Sequence, residues 1–188
     1  MTWTPKPLPL HWPIQLPDGS TLDTLHPRAF TVEEHRAALA RAGTDEDARF
    51  EELAVLATGL TLETIEELKR PDYVSLSAWL AEYVNQPAYF FTGQKPENPD
   101  DVPLLVPIRS FGQPVERIRL QVPTMKATKV MMAEKDPAKA AVFISSHCTG
   151  IAPGDIVKLS LPDWHQLQGR LGDFLNKPAD YFRNATSK

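Results

Sequence analysis

The chain has 188 residues, with 20 Lys and Arg against 24 Asp and Glu for a formal net charge of -4, a size that suits one domain or two small ones and excludes a large multi-domain machine. Its 42% hydrophobic and 23% charged residues sit near the globular average, which excludes global disorder, and the acidic balance leaves no cationic footprint for nucleic acid. Cys148 is the single cysteine, so no intrachain disulfide is expected, and no stretch approaches the roughly 18 apolar residues of a membrane span.

The opening MTWTPKPLPLHWP has neither the basic segment nor the apolar run of a secretory signal, which points to a cytosolic protein. From Trp12, two short extended runs around Pro17-Asp18-Gly19-Ser20 predict a β-hairpin. Thr31-Val32-Glu33-Glu34 is a capping box, in which the Thr31 hydroxyl and the Glu34 carboxylate satisfy each other's free backbone donors, so a helix is expected to about Gly43. The acidic run from Thr44 to Glu52 reads as a solvated helix face, its acids favoured by the helix dipole, rather than as paired catalytic carboxylates. Gly59 is a left-handed helix stop, and a short helix with Ile65 and Leu68 inward follows it. The next helix starts at Pro71-Asp72 and places Tyr73, Leu76, Leu80 and Tyr83 on one face. It ends at Asn85-Gln86, because Pro87 disfavours helical geometry in the residue before it.

Thr92 to Asp101, TGQKPENPDD, is polar and carries two prolines, the composition of a linker. Beyond it Leu104, Val106 and Ile108 alternate with their neighbours before Phe111-Gly112-Gln113-Pro114, and Ile118, Leu120 and Val122 alternate after it. This period-2 signal predicts a half-buried hairpin with those residues inward. Pro13 and Pro107 cannot donate to a ladder, so a strand edge or start is expected for both. Asp136-Pro137 starts a helix that ends at Gly150. A short helix with Ile156 and Leu159 inward follows, and the last helix runs from Pro162-Asp163 to Asn176 with Trp164, Leu167, Leu171 and Phe174 on one face.

The two halves match each other. Ala57 to Phe91 lies over Cys148 to Phe182 at a constant offset of 91 without gaps, and twelve of the 35 pairs are identical, where chance supplies roughly two. Pro71-Asp72 lies on Pro162-Asp163, and Asn85, Pro87 and Ala88 lie on Asn176, Pro178 and Ala179. Upstream, Pro13-Ile14 lies on Pro107-Ile108 and Thr31 on Thr124. The reading is an α+β chain of two tandem repeats, each a β-hairpin followed by three or four short helices. The first repeat covers residues 1–91 with its core at 12–91, the linker 92–101, the second repeat 102–182 and a tail 183–188.

No metal or cofactor is expected, because His11, His26, His35, His147 and His165 fall in no metal-ligand spacing and no glycine-rich phosphate cradle is present. His147-Cys148 lies at a helix end and reads as a packed thiol rather than a nucleophile. Asp72 and Asp163 read as first-turn or capping acids, since their surroundings share no second acid, Lys or His. Aromatic residues are the candidate protein-binding groups. Tyr89-Phe90-Phe91 and Tyr181-Phe182 close the two halves beyond the helix-ending prolines, and Trp79, whose matching residue is Arg170, is expected at the surface.

The order of hairpin, Thr-led helix, Thr-Gly-Leu stop, short helix and Pro-Asp-Tyr helix resembles the tail assembly chaperones of contractile-tailed phages such as Mu and P2. In the first half the residues that carry it are Pro13-Ile14, Asp18-Gly19, Phe30-Thr31-Val32, Leu56 to Leu60, Ile65, Leu68 and Asp72-Tyr73. In the second they are Pro107-Ile108, Thr124, Thr149-Gly150-Ile151, Ile156, Leu159 and Asp163-Trp164. Members of that family are about one repeat long, so this chain resembles two in tandem. The resemblance implies a non-enzymatic protein of the bacterial host cytoplasm that holds the tape measure protein soluble until tail tube subunits polymerise around it, and that is absent from the mature virion. Self-association is expected too, because multivalent weak contacts give avidity along an extended client. Two alternatives are a structural adaptor of a phage tail or related contractile device, and a small hydrolase that uses Asp72 or Asp163 with a histidine such as His165.

Overall fold

The computed structural model describes residues 3–183. Strands β1 (Leu8–Gln15) and β2 (Thr21–Leu25) are followed by helices α1 (Val32–Ala42), α2 (Glu46–Thr58), α3 (Leu62–Glu66), α4 (Arg70–Asn85) and α5 (Ala88–Thr92). The same order then recurs as β3 (Asp101–Ser110), β4 (Gln113–Arg119), α6 (Met125–Ala133), α7 (Pro137–Thr149), α8 (Pro153–Ile156), α9 (Leu161–Asn176) and α10 (Ala179–Arg183). The α+β class expected from the sequence is the observed one, built on two separate antiparallel hairpins. Five helices follow each hairpin instead of three or four, because a further single turn forms after Pro87 and after Pro178. The strand β3 already begins at Asp101, the last residue of the expected linker. Two compact units form: the residues up to Gln86 together with Lys158–Pro162, and Pro87–Val157 together with the residues from Asp163 on.

In the first unit the hairpin turns at Gly19, where φ is 85°, and the Asp18 carboxylate accepts from the Ser20 N–H at 2.9 Å and the Ser20 hydroxyl at 2.6 Å. The ladder is broken by a bulge: five steps along β1, from Pro9 to Ile14, face two steps along β2, from Thr24 to Leu22. Two N–H groups inside the bulge, those of His11 and Trp12, donate to the two oxygens of the buried Asp72 carboxylate at 3.0 and 3.1 Å. The α1 capping box is present as expected: the Glu34 N–H donates to Thr31 Oγ1, the Thr31 N–H donates to Glu34 Oε2, and the helix stops at Gly43. Its N-terminus is covered by residues 158–162, since Thr31 forms an antiparallel bridge with Ser160 and the Val32 N–H donates to Leu159 O at 3.0 Å. The core gathers Leu25, Phe30, Ile65, Leu76 and Tyr83, all fully buried. Tyr83 also carries a polar contact into it: its hydroxyl accepts from the Phe30 N–H at 2.9 Å and donates to Phe30 O at 2.8 Å.

The second unit repeats this scaffold. Phe111 and Gly112 both have positive φ, 49° and 77°, as a two-residue hairpin turn between Ser110 and Gln113 requires. Again five strand steps, Pro103 to Ile108, face two, Arg117 to Val115, and the Leu105 and Val106 N–H groups donate to the buried Asp163 carboxylate at 2.8 and 3.2 Å. The bulge corrects the expected strand phase. Leu104, Val106 and Ile108 do not form the inward row; Val102, Leu105 and Ile108 are buried, because the extra residues turn the chain over between Pro103 and Ile108. Val122, expected inward, lies beyond β4 and is exposed. Pro13 and Pro107 sit inside the bulged stretches, where no ladder donor is lost.

The helix stops are also shared. Gly59 and Gly150 take φ of 72° and 71° in the left-handed region, and each follows a threonine whose hydroxyl donates to the carbonyl four residues back, Ala54 or Ser145. The Arg28 N–H donates to Ala57 O and the Gln121 N–H to Cys148 O, both at 2.8 Å, so each hairpin exit is tied to the helix before its stop. Ile65, Leu68, Ile156 and Leu159 are buried as expected.

Candidate protein-binding surfaces

Trp79 lies on α4 in the first unit, half-buried, with its ring 5.3 Å from Tyr83 and nearly parallel to it. Its matching residue Arg170, on α9, solves the same position differently: the guanidinium lies 4.7 Å over Phe174 and 5.0 Å over Phe182. Arg170 also makes a two-pronged contact to Asp100 at 2.7 and 3.2 Å. That hydrogen bond, opposed by burial and reinforced by the Asp100 and Asp173 charges, raises the Arg170 pKa further above its ordinary value. A flat group stacked on the aromatic of the same helix is kept in both cases.

The other five sequence-predicted aromatics belong to the second unit. Tyr89, Phe90 and Phe91 form α5, which is anchored by the buried Ala88 and by the Tyr89 N–H donating to Gln166 Oε1 at 2.9 Å. Tyr89 and Phe91 are half-buried while Phe90 is exposed and meets Phe91 edge-on at 5.2 Å. Tyr181 and Phe182 lie on α10; Tyr181 is exposed, and Phe182 packs 5.5 Å from Phe174. The aromatic endings are thus short helices with one ring outward and another turned in.

Neither Asp72 nor Asp163 stands as an open acid in a cleft. Each is buried with both oxygens holding strand N–H groups, which is a structural task and more than the helix-capping expected of them. Cys148 is buried, and burial raises its thiol pKa, as for a packed rather than a nucleophilic cysteine. Among the described residues, no group of three His, Cys, Asp or Glu could hold a metal ion, and no helix is long and apolar enough to cross a membrane.

Two surface features went unread in the sequence. The outer side of β4 and the Thr149-Gly150-Ile151 stop line an open groove of about 770 Å³ beside the exposed Phe111. More apolar is α6, which exposes Met125, Val130 and Met132, with Val122 just before it and the exposed Lys126 and Lys129 on the same helix. Three of the chain's four methionines fall in this helix. The signal was available as a Met-rich run, but one helical turn of apolar residues reads equally as a core face.

Residues 101–176 match the model of a family described as phage tail assembly chaperone proteins, E, or 41 or 14. No curated protein and no solved structure matches the chain. The matched segment runs from the first residue of β3 to the last of α9, so it contains the Asp163 fork on the strand bulge, the Thr149-Gly150 stop and the exposed α6. Over these 76 of its 188 residues the chain is similar to phage tail assembly chaperone proteins.

Proposed function

We propose that the chain binds the tape measure protein of a phage tail and keeps it soluble during assembly, acting without catalysis in the host cytoplasm and leaving before the virion is complete. The family match over residues 101–176 carries this reading. Exposed apolar surface on a small protein supports it: Phe90, Tyr181, Met125, Val130 and Met132 in the second unit, and Trp12 and Val74 in the first, are the kind of shallow apolar features that hold an extended client through several weak contacts. Trp79, Tyr89, Phe91 and Phe182 belong to the same proposed contact set, as partly exposed rings. We further propose that the two halves descend from one family unit. Matching hydrogen bonds support this: the carboxylate forks of Asp72 and Asp163, the exit ties to Ala57 and Cys148, and the Thr58 and Thr149 helix stops.

The test is co-expression with the tape measure protein encoded beside it, followed by mass spectrometry of finished particles. The reading expects the client to move into the soluble fraction with this chain bound, and the chain to be missing from particles. A client that stays insoluble removes the chaperone reading, and recovery of the chain from particles in stoichiometric amount moves the adaptor reading ahead.

A further inference from the structure

The N-terminus of α1 is a filled site and the matching N-terminus of α6 is bare. In the first unit, Thr31 bridges Ser160, the Val32 N–H donates to Leu159 O, and Val32 is 2% exposed beneath the buried Leu159, Ser160 and Leu161. At the matching position of the second unit, Thr124 caps α6 as Thr31 caps α1, yet Met125 is 69% exposed and no bridge to Thr124 exists among the described residues. Val122 and Met132 flank it, 66% and 71% exposed. Met125 and Met132 are seven residues apart and so lie on one face of α6 as an apolar ledge, and exposed apolar residues grouped in this way mark interaction surfaces. Unbranched methionines adapt to varied partners.

We infer that this ledge is a docking site for an extended apolar client segment carrying acidic side chains, laid against Thr124 and Met125 as Leu159-Ser160-Leu161 is laid against Thr31 and Val32. The inference deepens the chaperone reading and rests on it. Lys126 and Lys129, both exposed on the same helix, supply the charge complement. A second copy of the chain is the poorer occupant. Its segment matching 158–162 is Glu67-Leu68-Lys69-Arg70-Pro71, which brings Lys69 and Arg70 against Lys126 and Lys129 where the seated segment has Ser160 and Leu161.

The experiment uses the full chain with methyl-labelled methionine and two synthetic peptides, Glu-Glu-Leu-Ser-Leu-Pro-Glu-Glu and the same core flanked by lysines, alongside co-expression of the tape measure protein. The acidic peptide is expected to shift the Met125 and Met132 methyl signals. The lysine-flanked peptide is expected to bind at least tenfold more weakly. The M125D/M132D double variant, altered at exposed positions, is expected to keep its thermal midpoint and lose at least tenfold of the co-purified client, while Leu62→Asp at the exposed start of α3 leaves capture unchanged. Unmoved Met125 and Met132 signals, or equal binding of both peptides, overturn the inference whatever the client does. Full capture by the double variant overturns it while leaving the chaperone reading intact, and failure of the unaltered chain to capture client sinks that reading instead, together with this inference for that client. A Met125 signal that shifts on concentrating the chain alone assigns the ledge to a second copy and also overturns it.

Discussion

Val32 and Met125 occupy the first position of matching helices behind matching threonine caps, and one is sealed while the other stands in solvent. The two units agree at the strand bulges, the carboxylate forks and the glycine stops, and differ at the N-termini of α1 and α6. Their strand bulges, carboxylate forks and glycine stops coincide to within a few tenths of an ångström or a few degrees, because an orphaned buried N–H costs about 1–3 kcal/mol in either unit. The outer faces are free of that constraint, so they are where a client-binding role can be placed. A second contrast follows the same logic. Phe30 offers an N–H to the Tyr83 hydroxyl; the matching residues are Pro123, which has no N–H, and Phe174, which has no hydroxyl. Donor and acceptor are missing together, so neither is left unpaired.

The largest expected effect sharpens the first contrast. Val32→Asp buries a carboxylate with no partner and is expected to cost about 4 kcal/mol or unfold the first unit, whereas Met125→Asp changes stability by no more than about 0.5 kcal/mol. Urea denaturation of the two variants measures the difference, and equal losses would break the comparison. Next come the forks: Asp72→Ala and Asp163→Ala each strand two backbone donors, for an expected loss of about 3 kcal/mol apiece. A loss under about 1 kcal/mol at either would show that the bulge holds without its carboxylate.

Smaller again, Tyr83→Phe orphans the Phe30 N–H and is expected to cost about 2 kcal/mol, while Phe174→Tyr, with no donor waiting, brings no gain. The smallest effect is a pH dependence confined to one unit. Burial raises the Glu34 pKa, but Arg28 and the Thr31 backbone and hydroxyl together outweigh it and hold the carboxyl below its ordinary value of 4.5. A lowered folded-state pKa means the contribution is complete above that ordinary value and is lost as pH falls through the depressed one. Glu34→Gln is therefore expected to flatten the acid limb of the stability curve between neutral pH and about pH 3. The matching residue in α6 is Ala127, so Ala127→Gln leaves that limb unchanged.

Local signals were legible because their partners are close in sequence. The Thr31–Glu34 box spans three residues, Asp136-Pro137 opens α7 as read, and the glycine stops and final helices follow from residues within one turn of each other. The strand phase was not legible, since the forks that pin the bulges come from Asp72 and Asp163, 57 to 61 residues away. Nor was the difference between Val32 and Met125, because what seals Val32 is Leu159, and period alone gives both helices an inward face. Tyr89 to Phe91 and Tyr181-Phe182 read as tails after proline; a proline that ends one helix can begin another.

Hydrogen exchange of the full chain, with and without the co-expressed tape measure protein, tests most directly whether the divergent face is the working one. The account predicts new protection over residues 122–133 on client binding and none over residues 32–42. Protection confined to α1, or an unchanged α6 in a complex that is demonstrably formed, would contradict it.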